Sequence, residues 1–267
     1  MAATPFDHDI RRDERAWQDE TGWSFQERAH SRAGTRYVLE RQFERLARFL
    51  DLADGSAVLD LGCGTGCLLD WLARRLPGRW TGVDLSRSAL RRAGERNPAL
   101  LLCSGDAERL PLRGSSFDAV VCNGAAHHFL DLDAAMREVY RLLKPGARVI
   151  LFEPVATRVA DAVRRGWFRN SRFESPADLA HKHEFTRGLV EETLLRAGFT
   201  DFRTRFFDFL AYPLTGMYMP LPWSGWRLPF RVLWAIESGL DRSRRIRPLL
   251  DSVSWRLLMT ARRPTNP

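Results

Sequence analysis

Short apolar segments alternate with amphipathic segments along most of the chain. Apolar residues that recur every three or four positions predict helices, and short apolar runs between turn residues predict strands. The strands expected on this basis are Ala57–Leu61, Trp80–Val83, Leu100–Cys103, Ala119–Cys122, Arg148–Phe152, Phe202–Phe209 and Trp255–Ala261. The expected helices are Arg36–Leu50, residues 67–76, Ala89–Arg96, a segment that Asp131 caps and Lys144-Pro145-Gly146 ends, and Thr186–Ala197.

This order of elements predicts the fold class. Strands that alternate with helices indicate an α/β fold with a doubly wound, mostly parallel sheet, here of seven strands. The ligand of such a sheet lies at the carboxyl ends of the strands, near the point where the strand order switches. The expected organisation is a helical N-terminal flap over residues 1–35, a core over 36–209 and 251–263, and an apolar insertion over 210–250, before the last strand.

Composition excludes several classes of protein. Apolar residues make up 45% of the 267 residues and charged residues 28%, which is enough apolar surface for a folded protein. The four cysteines, at positions 63, 67, 103 and 122, include no CxxC pair, which argues against a disulfide framework or a zinc site. Neither a signal peptide nor a membrane-spanning run is visible. We therefore expect a cytoplasmic protein, with peripheral contact to the inner membrane face as an open alternative.

The net charge of +8 has two interpretations. Only two of the 41 basic residues are lysines, Lys144 and Lys182, which is typical of a genome that favours arginine codons. The alternative is an anionic partner, such as nucleic acid, a phosphate-bearing substrate or a membrane surface.

A glycine-rich loop follows the first expected strand. The strand runs directly into Gly62, Gly64 and Gly66, and a helix follows. Glycine permits close backbone approach, and a helix N-terminus beyond it favours electron-rich ligand groups. The G-x-G-x-G spacing differs from the G-x-G-x-x-G of dinucleotide enzymes. Asp60, at the end of the strand, would repel a pyrophosphate and attract a sulfonium or ammonium group.

A second carboxylate follows the next strand. Asp84 lies 24 residues after Asp60. At this position a carboxylate can accept hydrogen bonds from both hydroxyls of a ribose. The loop and the two acids together therefore predict a nucleoside-containing ligand that carries a positive charge and lacks a pyrophosphate.

Five motifs in this order resemble those of class I S-adenosylmethionine (SAM) methyltransferases, and the closest resemblance is to the ubiquinone and menaquinone biosynthesis type. The resemblance covers about residues 36–209 and the last strand. The motifs are VLDLGCGTG at 58–66, GVDLS at 82–86, GDAERLP at 105–111, FDAVVCNGAAHHF at 117–129 and LLKPGARVILFEP at 142–154.

The resemblance implies SAM as the cofactor, S-adenosylhomocysteine as its product, and a set of residues that hold it. Asp60 and the glycines hold the methionine moiety, and Asp84 holds the ribose. Asp106 binds the adenine amino group. The complete set is Asp60, Gly62, Cys63, Gly64, Gly66, Asp84, Leu85, Asp106, Ala107 and Asn123. No metal is expected.

Catalysis in this family is an in-line displacement in which the protein aligns the acceptor and excludes water. A general base is needed only where the acceptor proton is poorly acidic. The candidates are His127 and His128, just after the fourth strand, and Glu153, at the end of the fifth. The alternative for the histidines is that one caps the next segment or packs against the cofactor. The glutamate would orient the substrate or form only a strand-end hydrogen bond.

The acceptor site is expected outside the shared core. The insertion is rich in proline and aromatic residues, which suits a cover for an apolar molecule or a membrane contact, with a lid on its own domain or a dimer contact as the alternatives. Candidate substrate-binding residues are His183, Trp223 and Trp226. We expect a hydrophobic or amphiphilic small-molecule acceptor, such as a prenylated, lipidic or polyketide-like compound, methylated on oxygen or carbon rather than nitrogen.

Two other functions remain open at this point. A nucleic-acid methyltransferase would also be basic, but Asn123-Gly124-Ala125-Ala126 lacks the proline and aromatic residues of enzymes that methylate exocyclic amines, and no RNA-binding module is visible. A non-catalytic SAM-binding protein would keep the same cofactor residues. Fold does not set the substrate, and the oligomeric state is open.

Overall fold

The computed structural model describes residues 5–155, 157, 162, 185–215 and 222–265. The described strands are β1 (Ala57–Leu61), β2 (Arg79–Asp84), β3 (Leu101–Ser104), β4 (Phe117–Asn123), β5 (Leu143–Pro154), β6 (Thr200–Phe207) and β7 (Arg256–Arg262). The described α-helices are α1 (Pro5–Trp17), α2 (Trp23–Ser31), α3 (Ala33–Ala47), α4 (Cys67–Ala73), α5 (Arg87–Arg96), α6 (Leu132–Leu142), α7 (Arg187–Arg196), α8 (Arg227–Asp241) and α9 (Arg247–Val253). A π-helical segment (Gln18–Gly22) joins α1 to α2.

The seven strands form one sheet in the order β3-β2-β1-β4-β5-β7-β6. Strands β1 to β5 pair in parallel, and β7 is antiparallel to both of its neighbours. The chain moves outward from β1 in one direction and then returns to place β4 on its other side, so the switch point lies between β1 and β4. The predicted doubly wound, mostly parallel α/β sheet is confirmed.

Most of the expected elements form, with small shifts at their ends. Asp131 caps α6, because its Oδ1 accepts a hydrogen bond from the Ala134 N–H at 2.8 Å. The expectation that Lys144-Pro145-Gly146 ends this helix is wrong. Helix α6 ends at Leu142, and Lys144-Pro145-Gly146 lies inside the long strand β5, since Leu143 already pairs with Phe117 of β4. Helix α3 begins at Ala33, three residues before the expected start.

Apolar side chains from both faces of the sheet form two core layers. Val58 of β1 lies in one layer and Leu59 in the other, as the alternation of side chains along a strand requires. Helices α3, α4 and α8 supply the first layer, and α6 and α7 supply the second. No helix among the described residues is both long enough and apolar enough to cross a membrane.

A buried ionic cluster joins α3 to the last two strands. The Arg45 guanidinium donates to Asp208 Oδ1 at 2.9 Å and lies between the rings of Phe207 and Trp234. Gln42 donates to Asp208 Oδ2 at 2.6 Å and accepts a hydrogen bond from Arg256 at 3.1 Å. Because each charge has a partner, the cluster offsets part of the cost of its burial.

Glu237 of α8 completes this cluster. Its carboxylate accepts the backbone N–H groups of Asp208, Leu210 and Ala211 at 3.2, 3.1 and 2.8 Å. Burial, and then the charge of Asp208, raise the pKa of Glu237 to about 7. Asp208 itself has a left-handed backbone conformation, with φ +67°. Helix α8 is thus attached to the turn after β6 by hydrogen bonds as well as by apolar packing.

Candidate active site

The glycine loop between β1 and α4 has the conformation that glycine permits. Gly62 and Gly64 have φ values of +76° and +53°. A Cβ atom on Gly62 would lie 2.3 Å from Ala125 Cβ, and one on Gly64 would lie 2.3 Å from Gln26 Oε1. Other residues would therefore be strained at both positions and would push the loop away from its neighbours.

Asp84 holds this loop from the end of β2. Its Oδ2 accepts a hydrogen bond from the Gly64 N–H at 2.7 Å, and its Oδ1 accepts one from the Ser86 N–H at 2.8 Å. Burial raises the pKa of Asp84, and these N–H groups oppose that rise. Each carboxylate oxygen has further lone pairs, which can accept hydrogen bonds from hydroxyl groups of a ligand.

A cavity of about 350 Å³ opens beside the loop. This volume falls in the range of small-molecule sites. The end of β2, the loop after β3, the loop after β4 and helix α1 enclose it. Its lining residues are Arg12, Glu14, Arg15, Gln18, Gln26, Leu61, Gly62, Val83, Asp84, Leu85, Gly105, Asp106, Ala107, Glu108, Gly124, Ala125, His128, Phe129 and Leu130. The cavity lies at the carboxyl ends of the strands, as predicted for this fold.

The N-terminal helices, where the sequence led us to expect a flap over residues 1–35, form one wall of the cavity. Asp19 Oδ1 accepts hydrogen bonds from the Ser86 hydroxyl at 2.6 Å and from the Ser88 N–H at 3.1 Å. Gln26 Oε1 accepts the Thr65 N–H at 3.1 Å. The sequence did not indicate these particular contacts, because the helices are mostly polar and their hydrogen-bond partners are distant along the chain.

Five of the predicted cofactor residues line the cavity: Gly62, Asp84, Leu85, Asp106 and Ala107. Gly64 shapes it through the hydrogen bond to Asp84. Cys63 is buried in the core, and Gly66 begins α4 with φ +72°. Asn123 lies at the end of β4, where its Oδ1 accepts a hydrogen bond from Arg256 at 2.8 Å. The other five predicted cofactor residues are not among the lining residues: Asp60, Cys63, Gly64, Gly66 and Asn123.

Arg256 is a site-proximal residue that the sequence analysis missed. This buried side chain donates to Asn123, Gln42 and the Phe152 carbonyl, and it stacks on the Phe152 ring at 3.9 Å. In the sequence it looks like an ordinary residue of an apolar strand, and only the sheet pairing brings it to the end of β4.

Ionisation of the Asp60 carboxyl group is unfavourable. It is buried at the end of β1. Burial, and then the charge of Asp84, raise the pKa of Asp60 to about 8. A ligand with a positive charge near this carboxylate would favour its ionised form.

We expect Asp60→Asn to remove a pH dependence of stability. An acid whose pKa is raised on folding stabilises the folded state fully below its unfolded pKa, about 4, and this stabilisation is lost as the pH rises through about 8. The amide of the asparagine variant stays neutral, so the ligand-free variant should exceed the original protein in free energy of unfolding at pH 8. Urea titrations between pH 5 and pH 9 measure the difference.

Asp118 provides the matched control for this comparison. Burial alone would raise its pKa, but hydrogen bonds from Lys144 and the Ala57 N–H lower it. Asp118→Asn should therefore have a lower free energy of unfolding than the original protein at pH values above the ordinary aspartate pKa. This change has the opposite sign to the one expected for Asp60→Asn. If the free energy of unfolding of Asp60→Asn and of the original protein changes equally with pH, the raised pKa of Asp60 is contradicted.

The candidate base and its carboxylate form a hydrogen-bonded pair. Glu153 Oε2 lies 2.8 Å from His127 Nδ1, and Glu153 Oε1 accepts the N–H groups of Ala125 and Ala126 at 3.0 and 3.1 Å. Burial alone would raise the pKa of Glu153, but His127 and these two N–H groups together lower it. Because the ionised carboxylate only accepts, Nδ1 carries the proton and Nε2 of the neutral ring keeps a lone pair.

His128 lies beside this pair and lines the cavity. The ring centroids of His127 and His128 are 4.0 Å apart, and His128 lines the cavity. His128 Nδ1 is 3.5 Å from Glu14 Oε1 of α1. The three catalytic candidates therefore lie close together, and His128 is the one among them that lines the cavity.

The substrate candidates are not brought together with these residues. Trp223 and Trp226 are exposed side chains just before and at the start of α8. His183 lies outside the described residues.

Residues 59–151 match a family model described as a methyltransferase domain. The chain carries a class I SAM-dependent methyltransferase domain. The matched segment extends from β1 into β5 and includes the glycine loop, Asp84 and Asp106. It leaves out the N-terminal helices and everything after position 151, so the shared methyltransferase domain accounts for the cofactor side of the cavity.

Similar proteins include methyltransferases of different substrates. Methyltransferase GfsG of Streptomyces halstedii is 35% identical over 130 residues, which are 46% of this chain and 47% of that protein. The 2-phytyl-1,4-naphtoquinone methyltransferase of Thermosynechococcus vestitus is 34% identical over 110 residues, which are 39% of this chain and 49% of that protein. The chain spans about half the length of these curated relatives.

A solved structure supports the fold of the methyltransferase domain. Phosphoethanolamine N-methyltransferase 2 of Haemonchus contortus, in complex with SAM, superposes with a TM-score of 0.63 and 18% identity. The match covers 94% of this chain and 60% of that one. At this identity the likeness shows a common fold.

The residues present fit SAM as the cofactor of the methyltransferase domain. The glycine loop leaves room that a Cβ would fill, and Asp84 turns a carboxylate toward the cavity. Asp106 and Ala107, which follow β3, also line the cavity, where they could recognise an adenine. Asp60 is buried at the end of β1, and a positively charged ligand near it would favour its ionised form.

Proposed function

We propose that this chain transfers a methyl group from SAM to a hydroxyl oxygen of an apolar or amphiphilic small molecule. The observation that carries the proposal is the pair of Glu153 and His127, which are 2.8 Å apart at the His128 end of the cavity. A hydroxyl group is a poor nucleophile until it loses its proton. A hydroxyl acceptor therefore needs a general base, which the pair of Glu153 and His127 can supply.

In this proposal each residue has a defined task. When bound, SAM supplies an electrophilic methyl group on a sulfonium and leaves as S-adenosylhomocysteine. His127 Nε2 takes the proton of the acceptor O–H as the oxygen forms its bond to carbon. Glu153 keeps the other ring nitrogen protonated and stabilises the imidazolium that results. The N-terminal helices exclude water from the cavity.

Two observations support an apolar acceptor. Phe129 and Leu130 line the cavity next to His128. The name of the Thermosynechococcus vestitus relative describes a quinone with a phytyl chain. A reduced quinone presents a hydroxyl group on an apolar body, which is the chemistry that this end of the cavity suits.

Isotope-labelled SAM tests the proposal directly. The purified chain is incubated with methyl-labelled SAM and a panel of hydroxylated aromatic compounds, with and without isoprenoid chains, and total RNA is a separate acceptor. We expect label in the chain-bearing phenols or quinols, and mass spectrometric fragmentation should place the methyl group on oxygen. Label in RNA, or on carbon or nitrogen alone, would contradict the proposal.

A further inference from the structure

Helix α8 presents an apolar ridge to solvent. Trp226 and Leu228 are 69% and 68% exposed, and Val232 and Ile236 are 52% and 48% exposed. Residues four apart are neighbours on a helix surface, so the last three form one row, which Leu240 extends. We call these five residues the α8 ridge.

The ridge is not needed to pack the helix. The inward face of α8 is already occupied by Phe230, which is fully buried, and by the partly buried Leu233 and Trp234. Glu237 fixes the rotation of the helix through its three backbone hydrogen bonds. The apolar ridge is therefore held outward on a rigid support, which is an arrangement that marks an interaction surface.

The charges around the ridge have one sign. Residues 222–249 contain six arginines and two carboxylates. Glu237 is buried, and Asp241 pairs with Arg247. Among the described residues, no ion pair is formed by Arg231, Arg242, Arg244 or Arg245, all of which are exposed. The surface that residues 222–249 themselves contribute is thus cationic, with no exposed, unpaired carboxylate among them.

The apolar ridge and the positive charge beside it together favour one kind of binding partner over another. Two copies of the chain joined by their ridges would bring arginines against arginines, which is unfavourable. A bilayer with anionic lipids offers negative headgroups to the arginines and an acyl region to the apolar row. Tryptophan is also favoured at the boundary between headgroups and acyl chains.

The ridge is connected to the wall of the cavity. Its first residue, Trp226, lies at the start of α3, since its carbonyl would be 2.6 Å from a Cβ on Gly34. Arg32, between α2 and α3, donates to Ser224 at 3.2 Å. Helix α2 in turn contacts the glycine loop through Gln26.

We propose that the α8 ridge and its arginines bind the surface of an anionic lipid bilayer. The acyl boundary receives Trp226, Leu228, Val232 and Ile236, while the arginines lie among the headgroups. This proposal is independent of the acceptor and of methyl transfer, so it can fail while the proposed function stands.

Vesicle sedimentation with the full chain tests this binding. We expect binding to mixed phosphatidylcholine and phosphatidylglycerol vesicles, weaker binding at high salt, and little binding to phosphatidylcholine alone. A set of polar substitutions on the ridge and a set of neutral substitutions at the arginines should each weaken binding by about tenfold or more. The first set is Leu228→Ser, Val232→Ser and Ile236→Ser, and the second is Arg231→Gln, Arg242→Gln, Arg244→Gln and Arg245→Gln.

Matched controls lie on other surfaces of the molecule. Leu101 and Leu195 are similarly exposed apolar residues, and Arg91 and Arg137 are exposed arginines. Their Ser and Gln variants should keep vesicle binding. Equal losses in the control and ridge variants would overturn the proposal, as would equal binding to neutral and anionic vesicles. A lipid-free dimer in light scattering that the ridge variants convert to monomer would also overturn it, because the ridge would then bind a second copy.

Discussion

We expect His127→Asn to lower kcat by about a hundred- to ten-thousand-fold, the contribution of a positioned general base. The asparagine has no ring nitrogen to take the proton of the acceptor. The dissociation constant of SAM should stay the same, because His127 is not a lining residue of the cavity. Single-turnover rates with labelled SAM, together with calorimetric titration of the cofactor, separate the two quantities.

Glu153→Gln distinguishes a catalytic pair from a structural one. The glutamine oxygen can still accept the N–H groups of Ala125 and Ala126, while its amide nitrogen would donate to His127 Nδ1. That donation moves the ring proton to Nε2, so the base is blocked although the fold is kept. We expect a loss of kcat similar to that of His127→Asn and a flattened acid limb of the pH profile. Normal turnover in this variant would contradict the assignment.

The second large effect is on cofactor affinity. We expect Asp84→Ala to weaken SAM binding by roughly 1–3 kcal/mol, which is about five- to 150-fold in Kd. The substitution removes acceptors for the ribose and also releases the N–H groups of Gly64 and Ser86. Titration calorimetry with SAM and with S-adenosylhomocysteine measures both affinities.

Asp118→Ala is the control for this loss. Asp118 also accepts a backbone N–H, that of Ala57 at 2.8 Å, and pairs with Lys144. It lies near the start of the central strand β4, whereas the cavity lies at the carboxyl ends of the strands. Its alanine variant should bind SAM normally. If both variants lose the same affinity, Asp84 acts on general stability and its assignment to the ribose is refuted.

The cofactor side of the site could be predicted because its information is local. Strands β1, β2 and β3 are parallel neighbours in the sheet, so the residues that follow them lie at the same end of it. Gly62, Asp84 and Asp106 could therefore be located before the structure was known. The boundary error at Lys144 arose because strand pairing, rather than the Pro-Gly pair, decides where β5 begins.

The rest of the site depends on contacts between distant parts of the chain. The N-terminal helices reach the cavity through Asp19 and Gln26, which bind residues more than thirty positions away. Arg256 reaches Asn123 only because β7 inserts between β5 and β6. No periodicity or motif encodes these pairings, and a polar residue within a helix or strand pattern does not reveal its partner.

The hydrogen bonds of Glu237 have a consequence for protein engineering. Because this single carboxylate of α8 caps the backbone turn at Asp208, Leu210 and Ala211, the segment cannot be exchanged between homologous enzymes as an independent cassette. A chimera that imports a foreign segment must also import a carboxylate at this position, or the turn after β6 loses its acceptors. Recombination points before α3 and after β7 would keep Arg45, Asp208 and Glu237 together, so hybrids built there should retain a folded core.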